Sequence, residues 1–354
     1  MQFGLVLNWH MPAAASAGSG IHDFDAVVEQ IRLAERLGFT SVWPFKHDQI
    51  RGDVPAPWPQ ELMSKIAAAT QTIRIGHRLS PTHGYDNSPL RAAEQAAAMD
   101  LLCGGRLEID CSASVAQAGE PVDRDLESRC DWGTREHALQ LVMKAWSQPV
   151  LGHRGTFFDL PDYAAIAKPL QRPHPPLWMS VNDAPEWALA GKLGVGVVAS
   201  APPGTALQSR LDAYRHAVCR SAPGTGAGDQ IAVSTLAICS APGGSGVSAY
   251  QAARWPPRQR PSTDEVIAGA PTRRAPRTAI DQPVPDGNRI RGGDALARAG
   301  LLIGDPERCI EAARAYAKVG VNRLLCHFPV QGAAHAAITD AMTRFAYDVI
   351  PAFA

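Results

Sequence analysis

An imidazole titrates near neutrality, and one with a carboxylate beside it is equipped for proton transfer. His47 sits in such a run, Phe45-Lys46-His47-Asp48. Asp48 either orients the imidazole or pairs with Lys46 at the surface, and the residues leave both open. A second carboxylate, Asp110, ends the run from Arg106 to Cys111 and is followed by Ser112. His47, Asp48 and Asp110, held at strand ends in one concave site, would suit general acid–base catalysis. Asn8 and His10 follow the first apolar run, His83 and Tyr85 follow the third, and His327 ends the last. These five are candidates for contact with a substrate. His77 and Arg78 are neighbours within one strand, so one of them must face inward. Cys111 reads as a buried, inert thiol. Neither a GxGxxG nor a GxxxxGK[ST] phosphate loop occurs, and no compact set of His, Cys and carboxylate residues has metal-ligand spacing. No metal is expected.

Positioning these side chains requires a scaffold that brings strand ends together. Short apolar runs alternate with longer amphipathic stretches, the pattern of a parallel sheet with crossover helices. Strands are expected at 3–8, 40–45, 73–79, 106–111, 177–181, 195–200, 231–239 and 322–327. Helices are expected at 23–37, 61–70, 89–102, 134–146, 185–193, 206–219, 306–319 and 333–349. In the first helix Val27, Val28, Ile31, Ala34 and Leu37 share a face, and Gly38 closes it. Eight β-α repeats in one chain close most simply into a single (β/α)8 TIM barrel of the α/β class, spanning residues 1–354. The rhythm breaks between 241 and 299, where Pro256-Pro257, many arginines and several glycines form an irregular insertion after strand seven. A long structureless stretch at the active-site face is either a lid or a disordered surface excursion, and the lid is the expected reading.

Lys plus Arg equals Asp plus Glu at 34 each, so nothing draws the chain to nucleic acid or an anionic membrane. A small-molecule substrate is the expected partner. The 7 cysteines are scattered without CxxC spacing, which suits free thiols in a reducing compartment. The start, Met1-Gln2-Phe3-Gly4-Leu5-Val6-Leu7, reads as a strand rather than a secretory leader, so a cytoplasmic location is expected.

Several landmarks resemble the bacterial luciferase-like monooxygenase family. Ala34-Glu35-Arg36-Leu37-Gly38-Phe39-Thr40-Ser41-Val42-Trp43 is similar to its first-helix to second-strand passage. Thr70 to Gly76, Ser88 to Gln95 and Asp100 to Leu107 resemble the surroundings of its third and fourth strands. Gln171 to Trp178, Gly304-Asp305-Pro306-Glu307, Gly320-Val321 and Val349-Ile350-Pro351 follow in the family's order. The resemblance implies a TIM barrel, reduced FMN or, less expectedly, a deazaflavin as cofactor, and oxidation of a small organic substrate in specialised metabolism. It also implies a homodimer. Reduced flavin would come from a separate flavin reductase, because no nicotinamide-binding domain is present. On this reading His47 falls on the family's active-site histidine, as general base or partner of an oxygenated flavin. Leu79, Ser112, Ser180 and Asn182 fall at the cofactor, and Asp110 shapes the ring pocket.

Three departures stand against that picture. Lys46 reverses the usual charge before His47. The run Asp110-Cys111-Ser112-Ala113-Ser114 places a carboxylate where the family has glycine, adding bulk and negative charge beside a phosphate. In Ser180-Val181-Asn182-Asp183-Ala184-Pro185-Glu186, Val181 and Ala184 replace expected hydroxyls, and Asp183 reads as a helix N-cap that takes the donors a phosphate needs. Two alternatives therefore stay open. One is a barrel without flavin doing acid–base chemistry such as isomerisation, cyclisation or elimination. The other is a non-catalytic partner subunit.

Overall fold

The computed structural model describes residues 1–7, 19–44, 60–79, 88–111, 132–155, 159–163, 167–221, 227–243, 300–328 and 335–354. Its elements run β1 (Gln2–Leu7), α1 (Ser19–Arg36), β2 (Ser41–Pro44), α2 (Gln60–Ala69), β3 (Arg74–Arg78), α3 (Pro89–Leu102) and β4 (Leu107–Asp110). Then come α4 (Trp132–Ser147), β5 (Leu151–Arg154), β6 (Asp159–Tyr163), β7 (Leu177–Val181), α5 (Ala184–Leu193), β8 (Gly196–Ala199) and α6 (Thr205–Ser221). The chain ends with β9 (Ile231–Cys239), β10 (Leu302–Gly304), α7 (Pro306–Lys318), β11 (Arg323–His327) and α8 (His335–Asp348).

Parallel pairing runs β9-β11-β1-β2-β3-β4-β7-β8, and β8 pairs back to β9. The sheet thus closes on itself as the expected eight-stranded (β/α)8 barrel. All eight expected strands and eight expected helices are present, shifted by at most a few residues. Three strands were not anticipated. β5 and β6 form an antiparallel hairpin before β7, in a stretch for which no strand is expected from sequence. β10 adds to the carboxyl end of β9, with Gly304 opposite Cys239. The stretch 244–299, nearly all of the expected insertion, lies outside the described residues.

Alternation along each strand divides the core in two. Phe3, Leu5, Val42, Ile75, Ile109 and Met179 face the helices and join the large apolar layer between sheet and helices. Val6, Trp43, Trp178, Ala232 and Leu325 pack against one another inside the barrel. Gly76 makes that interior possible: a Cβ there would lie 2.5 Å from the Trp43 ring. The indoles of Trp43 and Trp178 meet edge to face at 6.0 Å.

Helix ends are set by local chemistry. Asp305 caps α7 by accepting from the Arg308 N–H at 3.1 Å, Pro306 starts the first turn, and Cys309, Ala312, Ala313 and Tyr316 form its buried stripe. Gly38 follows α1 with φ of +88°, a conformation costly for any residue with a Cβ. Among the described residues no helix is long and apolar enough to cross a membrane.

Candidate active site at the carboxyl end of the barrel

The residue parity that places Trp43 and Trp178 inside the barrel also sends the last inward residue of each strand to its carboxyl end. Arg78 follows Gly76 by two on β3, Asp110 follows Glu108 on β4, Ser180 follows Trp178 on β7, and His327 follows Leu325 on β11. Ser234 shares the inward parity of Ala232 on β9, part-way along that strand and beside His327. A polar ring therefore stands on an aromatic and aliphatic floor. His327 is buried, and its Nε2 lies 2.5 Å from Ser234 Oγ. On the wall of β3 and β4, Arg78 Nη2 lies 3.9 Å from Asp110 Oδ2, a charge contact beyond hydrogen-bonding reach. The strand order puts β9 and β11 across the barrel from β3 and β4, so the two polar pairs face each other.

His77, next to Arg78, faces the other way. Its Nδ1 lies 3.1 Å from Met63 Sδ of α2, in the helix-facing layer. Burial lowers its pKa to about 4, with Asp110 pulling weakly in the opposite direction. The inward member of the pair is therefore Arg78.

Arg135, in the first turn of α4, was not singled out by sequence. Its Nη2 donates to the Cys111 carbonyl at 2.9 Å, and its charge is felt by Glu186, Asp110 and Arg78. Burial lowers its pKa against the pull of Cys111, Glu186 and Asp110. One signal was available: a cation at a helix N-terminus opposes the helix dipole and calls for an anionic neighbour. Cys111 donates its thiol to the Trp178 carbonyl at 3.1 Å, and burial, aided by Asp110, pushes its pKa up to about 12. It stays protonated, as its inert reading requires.

Ser180 is half-buried at the carboxyl end of β7, and Asn182 is exposed just beyond it. Leu79 is buried in the helix-facing apolar layer, while its backbone N–H donates to the Asp110 carbonyl at 2.8 Å. Of the candidates, the structure brings Asp110, Ser180 and His327 to one end of the barrel interior. His47, Asp48, Ser112, Asn8, His10, His83 and Tyr85 lie outside the described residues.

The start of α5 carries a complete capping box. Asp183 Oδ1 accepts from the Glu186 N–H at 3.2 Å, and Glu186 Oε2 accepts from the N–H groups of Asn182 at 2.6 Å and Asp183 at 3.4 Å. Two carboxylates thus hold the donors that a helix start would offer to a phosphate.

At the opposite, amino-terminal end a cavity of about 410 Å³ is lined by Gln2, Arg74, Glu108, Trp178, Asn322 and Arg323. Two guanidiniums share one carboxylate here: Glu108 accepts from Arg74 and from Arg323, each at 2.5 Å, and Asp229 also lines the cavity. Arg323 also donates to Gln2 Oε1 and lies over the Trp178 ring at 4.8 Å. This end holds the barrel together, and chemistry belongs to the other.

Sequence comparison decides the family. The profile of luciferase-like monooxygenases matches residues 1–323. The chain belongs to the luciferase-like monooxygenase family. Among curated luciferase-like relatives, the oxygenase component of a flavin-dependent trigonelline monooxygenase from Acinetobacter baylyi is 25% identical over 185 residues, 52% of this chain and 49% of that protein. An F420-dependent glucose-6-phosphate dehydrogenase from Amycolatopsis mediterranei is 23% identical over 340 residues, covering 92% of this chain and 93% of that one. The chain spans about half the length of the first relatives it matches, 54%, 49% and 51% of each. Among solved luciferase-like folds, the monooxygenase RslO1 from Streptomyces bottropensis superposes with a TM-score of 0.69 at 21% identity, over 100% of both chains. The family thus includes flavin-dependent and F420-dependent enzymes.

Proposed function

We propose that this luciferase-like barrel is a flavin-dependent monooxygenase or oxidoreductase acting on a small organic substrate. The observation that carries the reading is the polar ring of Arg78, Asp110, Ser180, Ser234 and His327 above the indole floor of Trp43 and Trp178. A flat, amphipathic ring needs apolar surface beneath it and hydrogen-bonding groups at its edge, and this end of the barrel supplies both. The ring end of a flavin fits this donor set. A phosphate at the start of α5 does not, because Asp183 and Glu186 occupy the backbone donors there.

When bound, a reduced flavin or deazaflavin would supply the electrons for the oxidation. Ser180 and Asn182, with Leu79 and Ser112, are the residues assigned to hold it. His47 serves as general base, with Asp48 and Asp110 as the carboxylates assigned to the same chemistry. The Ser234–His327 pair presents a fixed donor to a substrate on the far wall, and the buried floor excludes water from beneath it. Asn8, His10, His83 and Tyr85 complete the substrate contacts. The relative named as an oxygenase component supports a two-component arrangement, in which a separate flavin reductase delivers the cofactor. FMN is the first choice and deazaflavin the second, in a cytoplasmic homodimer of specialised metabolism.

Anaerobic titration of the purified chain with reduced FMN and with reduced F420 tests this reading. Saturable quenching of indole fluorescence by reduced FMN is expected, with loss of turnover in His47→Ala that still folds. Absence of affinity for either cofactor, with turnover retained in anaerobic flavin-free buffer, would replace the oxygenase by a barrel doing acid–base chemistry alone.

A further inference from the structure

Among the described residues, Arg74, Arg78 and Arg323 project into this barrel, and two of them are held by several hydrogen bonds. Arg74 gives its Nε to Glu108 and its Nη2 to the Leu107 carbonyl and Gln171 Oε1. Arg323 gives Nη1 to Glu108, and Nε and Nη2 to Gln2. Arg78 differs. Its Nε and Nη2 are buried and donate no hydrogen bond among the described residues. Its ion contact with Asp110, at 3.9 Å, is too long to be one.

Two guanidinium nitrogens withdrawn from water with no acceptor are destabilising even where the rest of the side chain is partly exposed, and the chain shows at Arg74 and Arg323 that it can supply acceptors to such groups. Arg78 is thus suited to a ligand that supplies the missing acceptors. The guanidinium fork matches a planar group with two oxygens, held by parallel hydrogen bonds. Asp110 beside it keeps the pair near neutral when empty. The same carboxylate disfavours a dianion, so a phosphate fits less well than a carboxylate. Below Arg78 the Trp43 ring lies against Gly76, offering a flat apolar surface to the body carrying that carboxylate. Across the barrel stands the Ser234–His327 pair.

We propose that Arg78 is a specificity residue that binds the carboxylate of the substrate, so that the substrate class is a small organic acid with a planar body. The inference rests on the carboxyl end of the barrel being the active site, as argued above. With its acid group held at β3 and β4, such a substrate extends over Trp43 toward His327.

The test uses benzoate and the uncharged, near-isosteric benzamide as probes on flavin-free protein, followed by indole fluorescence and calorimetry. Wild type is expected to bind benzoate about tenfold or more tightly than benzamide, and Arg78→Met to abolish that preference. Arg78→Lys, which keeps the charge and loses the fork, is expected to fall between them. If Arg78→Met does not fold, as judged by circular dichroism and thermal melting, Arg78→Lys carries the test through its reduced preference. Equal binding of the two probes by wild type overturns the proposal. So does an unchanged benzoate preference in a folded Arg78 variant, and the more so if that variant loses affinity for reduced FMN, which would assign the guanidinium to the cofactor. A benzoate preference that depends on Arg78 in a chain with no flavin affinity upholds this inference while refuting the cofactor reading.

Discussion

His77 shows how one buried side chain can set the acid limit of the fold. Its ring is neutral in the folded protein above about pH 4, because burial penalises the charged form. In the unfolded chain the same ring takes up its proton below about pH 6.5. Between those values the unfolded state binds more protons, so stability is complete above pH 6.5 and falls as the pH drops toward 4. The separation corresponds to about 3 kcal/mol at 1.36 kcal/mol per unit. His77→Leu should therefore flatten the pH dependence, and urea unfolding at pH 7 and pH 4.5 measures it. Equal losses in wild type and variant would mean that His77 is not the titrating group. The pair His77-Arg78 also marks the reach of sequence. Alternation requires one of them to face inward, but only the contacts with Met63 and Asp110 decide which. Arg135 was harder still, because its partners Cys111, Asp110 and Glu186 come from other elements and share no local pattern with it.

At the scale of elements, long periodic segments were legible and short or Pro-interrupted ones were not. The eight barrel strands and eight helices follow from apolar periodicity, which any parallel α/β sheet imposes. The β5–β6 hairpin escapes it because Asp159-Leu160-Pro161-Asp162-Tyr163 carries a proline and two acids, tolerated on an isolated two-stranded edge. β10 spans only Leu302–Gly304, too short for any period to emerge. The start of α5 was legible in its N-cap, Asp183, and the structure adds Glu186 as the other half of a capping box. Glu186→Ala removes the acceptor for the N–H groups of Asn182 and Asp183 and should cost about 1 kcal/mol in urea unfolding. It also returns those donors to the solvent near Ser180. The variant's affinity ratio for FMN over riboflavin should then rise above that of wild type. A ratio that does not change would locate the cofactor's phosphate away from α5.

At the scale of the whole molecule, the barrel has to be closed by contacts between strands far apart in sequence. Glu108 makes one such contact, joining β4 to Arg74 on β3 and to Arg323 on β11, 215 positions away, which in turn reaches Gln2 on β1. Glu108 is 2% exposed and Arg323 is buried beside it, while Arg74 keeps partial contact with solvent. Sequence reading passed over this network, because an acid at 108 and a base at 323 carry no mutual signal until the sheet is closed. Removing the carboxylate in Glu108→Ala leaves a buried Arg323 and a partly buried Arg74 with no anion between them, and should cost roughly 3 kcal/mol, the low end for a broken buried pair. A buried ion pair owes much of its apparent value to the penalty of breaking it, since both partners were desolvated on folding. The triple variant Arg74→Met, Glu108→Leu, Arg323→Met should therefore recover most of what the single variant loses. Urea unfolding of the two variants against wild type compares them directly. A triple variant as unstable as Glu108→Ala would show that the ions themselves, and not merely a filled amino-terminal end, hold β1, β3, β4 and β11 in register.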